Sequence, residues 1–185
     1  MRSVLSVGVI LKIVIYCLVL QFLFTSPGMA ALGAQHAVIT KDKEHASVDV
    51  LVGAIDETTV EGAVHFKIQD GWHIYAADPG DTGVATTISL EGSKVLWYDI
   101  HWPKHEVDVL KIGKKTFTSN VYTSSVAFPF VAKFESGTKE IKVELQFAVC
   151  GETCIPTKKT LALDVSKSKF VDEKHTELIR EWQDR

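Results

Sequence analysis

The chain has 185 residues, a formal charge of −3, 46% hydrophobic residues and 23% charged residues. That balance fits one folded domain and excludes a disordered chain. With 20 basic against 23 acidic residues there is no basic stripe for nucleic acid. No glycine-rich phosphate loop is present, and three cysteines are too few for a disulfide-dense scaffold.

Residues 4–24 are an almost unbroken apolar run behind Arg2, followed by small and helix-breaking residues. This is the pattern of a secretory signal, with cleavage expected after Ala30 or Ala34. The run is also long enough to span a bilayer. Lys12 near its middle would cost roughly 2.5–3.5 kcal/mol there. Residues 1–34 are therefore read as a signal peptide, with a retained membrane anchor as the rival. Both readings place the rest of the chain outside the cytoplasm. Cys17, inside the run, reads as a small hydrophobe. Cys150 and Cys154 then lie where disulfides can form.

From residue 35 to 168 the dominant signal is alternation, the mark of half-buried strands. Val48, Val50 and Val52 share one parity, as do Val64, Phe66 and Ile68. Asp70-Gly71 marks a turn, after which Trp72 to Tyr75 restart an extended run. Asp78-Pro79-Gly80-Asp81-Thr82-Gly83 reads as a loop. Strands are expected over 84–90 and 95–102. Val126, Phe128, Phe130, Ala132 and Phe134 make another, in which Pro129 suggests an edge strand or a bulge. The clearest strand alternates Ile141, Val143, Leu145, Phe147 and Val149 with polar residues. Leu161, Leu163 and Val165 follow the cysteines. Seven or eight short strands with frequent turns predict an all-β, antiparallel sandwich. Residues 169–185 read as a short amphipathic helix, with Phe170, Leu178, Ile179 and Trp182 on one stripe. Residues 103–121 are polar and irregular and read as a long loop, the kind that often carries function.

Val149-Cys150-Gly151-Glu152-Thr153-Cys154-Ile155-Pro156 lies between two strong strand patterns, in or beside a hairpin loop. If the odd residues up to Val149 face the core, Cys150 faces away from it and is open to a partner. A disulfide here would close so short a loop that its entropic staple contributes only about 2 kcal/mol. Closely spaced thiols are better suited to exchange, one attacking and the other resolving the mixed disulfide. Redox exchange, a structural staple and zinc binding remain open on spacing alone. A thioredoxin motif is excluded, since it has two intervening residues and opens a helix.

Four stretches together carry a resemblance. They are Asp70-Gly71-Trp72-His73-Ile74-Tyr75, the Asp78-to-Gly83 loop, Trp102-Pro103 and the cysteine motif. In order and spacing the chain resembles the N-terminal periplasmic domain of the thiol:disulfide interchange protein DsbD, in the variant shared with ScsB-type proteins. The resemblance implies an immunoglobulin-like sandwich. It implies a periplasmic module, inner-membrane anchored only if residues 4–24 are retained. That module would relay electrons from a thioredoxin-like domain or a membrane thiol reductase to oxidised periplasmic thiol proteins. As a component of a protein-disulfide reductase it would need no cofactor. Cys154 corresponds to the thiol that forms mixed disulfides, and Cys150 to its resolving partner. A cap loop shielding the pair would fall within residues 104–117, with Phe117 as its candidate cap. Trp72, His73 and Tyr75 would line the pocket. The family protein carries a membrane conduit and a thioredoxin-like domain on one chain, so here the reductant is expected to be supplied separately.

Two other readings stand beside this one: a non-catalytic immunoglobulin-like binding module with a structural disulfide, and a periplasmic metal-binding protein. His65, His73, His101 and His105 read as surface or loop residues, since Pro103 prevents helical pairing of the last two. Trp97 and Trp102 read as core or rim aromatics.

Overall fold

The structure, a computed structural model, describes residues 45–167 and 169–185. The expected signal or anchor segment lies outside the described residues. Among these residues, eleven strands and one helix follow in chain order: β1 (Ala46–Ile55), β2 (Thr59–Ile68), β3 (His73–Gly80), β4 (Thr87–Glu91), β5 (Val95–Ile100) and β6 (Glu106–Ile112), then β7 (Lys115–Thr123), β8 (Ser125–Phe134), β9 (Glu140–Cys150), β10 (Cys154–Asp164), β11 (Phe170–Val171) and α1 (Glu173–Gln183). The first sheet runs β11-β1-β2-β8-β5 and the second β10-β9-β3-β7-β6, with β4 also paired to β9. Every pairing is antiparallel. This is the immunoglobulin-like sandwich.

The alternating residues supply the core between the sheets. Val64, Phe66, Val126 and Phe128 from the first sheet meet Ile74, Val143, Leu145 and Phe147 from the second, all nearly inaccessible. Phe66 is the hub, meeting Phe128 and Phe147 edge-on at 5.8 and 5.0 Å between ring centres. That is the geometry aromatic quadrupoles favour. Tyr122 and Trp102 close the same cluster against Phe128. Trp97, by contrast, is exposed on β5.

Several sequence expectations need correction, among them the Asp78-to-Gly83 loop, whose first three residues continue β3. Residues 103–121 are not a long loop but the β6–β7 hairpin, regular in register from Glu106–Val121 to Ile112–Lys115. All of β6 is solvent-exposed, and its apolar residues change parity between Val109 and Leu110, which breaks the alternation a half-buried strand shows. Pro129 is not on an edge, because β8 lies between β2 and β5. His101 N–H donates to the Pro129 carbonyl just where β5 ends. A residue's N and C=O share one side of a strand, so the missing N–H of Pro129 faces His101 at the very end of the β5 ladder and costs no bond to β2. Residues 84–86 precede β4 rather than belonging to it. Finally, Phe170 pairs with Ile55 on β11 instead of sharing the helical stripe.

The helix lies on the outer face of the first sheet. Ile179 is buried against Ala63 and Ala127, with Leu178 and Trp182 beside it. These alanines have the opposite parity to the inner residues, so their small side chains leave room for the helix. Its start is capped by Asp172, whose carboxylate accepts from the His175 N–H at 3.0 Å.

Candidate functional site

Cys150 ends β9 and Cys154 begins β10, directly across the ladder from each other. A disulfide joins them, with Cα atoms 4.1 Å apart. Gly151, Glu152 and Thr153 form the connecting turn, closed by a Gly151 N–H donating to the Thr153 carbonyl at 3.0 Å. The strand pairing thus places the two sulfurs together.

The two cysteines differ in access. Parity does turn Cys150 away from the main core, as expected, but it is not open: it is 1% exposed. Tyr75, Val121 and Ala148 bury it in a small second cluster on the outer face of its sheet. Parity identifies a face and cannot say what covers that face. Cys154 is exposed.

The covering residues follow from register. His73 lies opposite Cys150 on β3 and opposite Thr123 on β7. Tyr75 lies opposite Val121, and Glu106 of β6 faces Val121 from the other side. The His73 and Tyr75 rings meet edge-on at 5.0 Å. Burial holds the His73 imidazole below its ordinary pKa, opposed by the charge of Asp108. Burial and the same carboxylate both push the Tyr75 phenol up. Asp108 therefore acts on both rings from across the sheet.

Trp72 packs at the turn. A β-carbon on Gly151 would come within 3.0–3.2 Å of the indole. The indole also stacks on His45, at 3.6 Å and 7°, whose ring is fixed through Nδ1 by Gln69 Oε1 at 2.9 Å. Beside Trp72 and His73 opens a groove of about 390 Å³, also lined by Asp70, Glu106, Asp108 and Thr123. Among the described residues it is lined by three carboxylates and no lysine or arginine. Thr123 donates its hydroxyl to Glu106 at 2.7 Å.

Of the expected site residues, the fold thus gathers Cys150, Cys154, Trp72, His73 and Tyr75 at one end of the second sheet. Phe117 lies elsewhere on the β6–β7 hairpin, paired with Leu110 and only half-buried. Sequence reasoning missed Val121, Glu106 and Asp108. Their only signal was membership of the stretch that looked irregular.

These features define an immunoglobulin-like sandwich with one hairpin disulfide, one sulfur open and the other covered. Residues 39–166 match the family described as "Thiol:disulfide interchange protein DsbD, N-terminal", and the chain belongs to that family of thiol–disulfide exchange domains. No curated protein matches the chain. Among solved structures, it is similar to the N-terminal periplasmic domain of ScsB from Proteus mirabilis, at 24% identity and a TM-score of 0.61. That match covers 77% of this chain and 56% of the ScsB domain, so the chain spans little more than half the length of that relative. The reduced DsbD N-terminal domain of Neisseria meningitidis matches at 18% identity and TM-score 0.40, over 63% of this chain and 83% of that one.

Proposed function

We propose that the domain is a periplasmic thiol–disulfide exchange module that passes electrons from a thioredoxin-like or membrane reductant to oxidised envelope proteins. One observation carries this reading: of two bonded cysteines in a family of interchange domains, Cys154 is exposed while Cys150 is 1% exposed. A reductant's thiolate attacks Cys154 Sγ. The Cys150–Cys154 bond breaks, Cys150 leaves as the thiolate, and a mixed disulfide to Cys154 forms. The reductant's second thiol then displaces Cys154 and leaves the reductant oxidised and this domain a dithiol. In the forward half, the Cys154 thiolate attacks a client disulfide and Cys150 resolves the mixed disulfide. The client leaves with two thiols, and the domain regains its disulfide.

In this reading residues 1–34 direct export, or remain as an inner-membrane anchor, and residues 35–168 form the exchange domain. Tyr75 and Val121, rather than Phe117, shield the inner sulfur. The test is electron transfer from a reduced thioredoxin, read as thiol release. Cys154→Ser should abolish transfer while leaving the circular dichroism of the sandwich intact, and Cys150→Ser, given an oxidised client disulfide, should accumulate the mixed disulfide formed when its Cys154 thiolate attacks that bond and releases one client thiolate. The burial of Cys150 also favours a second reading, a binding module with a structural disulfide. That reading prevails if Cys154→Ser unfolds the domain and the wild-type bond resists thioredoxin.

A further inference from the structure

Four strands terminate the two main sheets: β11 and β5 in one, β10 and β6 in the other. A free edge presents unpaired N–H and C=O groups, and proteins normally blunt it. β11 has only two residues. β5 has a register irregularity between Val95 and Trp97. β10 carries Pro156, Lys158 and Lys159. β6 differs from all three. It runs seven residues without a proline and pairs with β7 without a register shift. Lys111 is its one lysine, and Val107, Val109, Leu110 and Ile112 are 52–60% exposed.

The turn at the tip shows which backbone groups face outward. Gly113, at φ +60°, and Lys114 form a two-residue turn between β6 and β7. Residues flanking such a turn form a hydrogen-bonded pair, and bonded and non-bonded pairs alternate from there. Ile112, Leu110, Asp108 and Glu106 therefore bond to β7. Val107, Val109 and Lys111 turn their N–H and C=O groups outward.

This edge is continuous with the redox site. Glu106 and Asp108 line the groove beside Trp72 and His73. They lie opposite Val121 and Ser119, on the sheet face that carries Cys150. β6 is three strands from β9, roughly 14 Å at ordinary strand spacing.

We propose that β6 is a docking edge for an extended segment of the redox partner, added as a further antiparallel strand, with lysine or arginine opposite Glu106 and Asp108 and apolar side chains opposite Val107, Val109, Leu110 and Ile112. Main-chain bonds supply affinity in this mode, and the alternating side chains supply specificity. The proposal rests on the exchange reading above. Charge argues against a second copy of this chain. Antiparallel self-pairing about a two-fold axis sets residues of equal parity against each other, so Lys111 never meets Glu106 or Asp108. The carboxylates would face Leu110, Ile112 or each other.

The test measures amide hydrogen exchange in the isotope-labelled, oxidised protein. Two probes are used: a short valine-rich peptide with lysine only at the two positions that face Glu106 and Asp108, and the same peptide with glutamate for both lysines. The lysine peptide should slow exchange at Val107, Val109 and Lys111 by roughly tenfold or more, and the glutamate peptide should not. Val109→Pro removes one outward N–H while sparing the bonds to β7, and should abolish the protection. A paired Glu106→Lys and Asp108→Lys variant should reverse the preference; this arm decides if the proline variant does not fold. Absence of protection at these amides overturns the proposal, as does protection without peptide in a sedimenting dimer. Reduction by dithiothreitol is followed in parallel. A disulfide that cannot be reduced and re-formed defeats the exchange reading without touching the peptide result.

Discussion

Gly83 packs so closely on the ring of Tyr75 that a β-carbon at that position would overlap it. Gly83 also has φ +107°, a conformation that side-chain-bearing residues rarely adopt. The loop thus presses on the tyrosine that helps to bury Cys150. Gly83→Ala should cost about 1–3 kcal/mol through strain and overlap, measured by urea unfolding. It should also speed reduction of the disulfide by dithiothreitol, because the ring must move.

The difference in access between the two sulfurs should persist in the dithiol. With iodoacetamide under native conditions, Cys154 should be alkylated roughly tenfold or more faster than Cys150, since reactivity follows exposure. Peptide mapping by mass spectrometry assigns the modified thiol. Equal rates would mean that Tyr75 and Val121 do not shield Cys150.

Tyr122 gives a pH-dependent expectation. Its hydroxyl donates to the Pro103 carbonyl at 2.7 Å, tying β7 to the segment that leads into β6. Burial pushes its pKa from 10.0 up to about 12. The folded state therefore holds this proton more tightly than the unfolded state. The associated stability is fully present below pH 10 and is lost as the pH rises toward 12. Tyr122→Phe should cost about 1 kcal/mol at neutral pH, where the carbonyl loses its partner. Its urea stability should fall less steeply than that of the wild type between pH 10 and 12.

The helix cap separates stability from exchange. Asp172→Ala removes the acceptor for the His175 N–H and should destabilise the protein by about 1 kcal/mol. The helix lies on the first sheet, against Ala63 and Ala127. Under the exchange reading, reduction by thioredoxin at the Cys150–Cys154 hairpin of the second sheet should be unchanged within twofold or so.

Strands that bury a face were legible in the sequence. The run from Ile141 to Val149 alternates because one side packs against Phe66 and its neighbours, and it led directly to the cysteine hairpin. The helix around Ile179 was legible for the same reason at a different period. β6 was not, because it is exposed on both faces and its apolar residues switch parity between Val109 and Leu110. Nor was the part of Val121 in covering Cys150, and Tyr75 was named only through the family resemblance, since both reach the sulfur through the order β9-β3-β7. That order is set by long-range pairing, not by any local pattern. Pro129 misled for a related reason: its tolerance depends on where a neighbouring strand stops.

The helix seated on Ala63 and Ala127 lies over the outer surface of one sheet, so under the exchange reading proposed above both partners meet a single frontage, at the cysteine hairpin of the other. One accessible sulfur on that frontage cannot hold donor and acceptor together. Each must vacate before the other arrives. Turnover should follow ping-pong kinetics, giving parallel double-reciprocal lines, with each protein competing against the other as a dead-end inhibitor when supplied in excess.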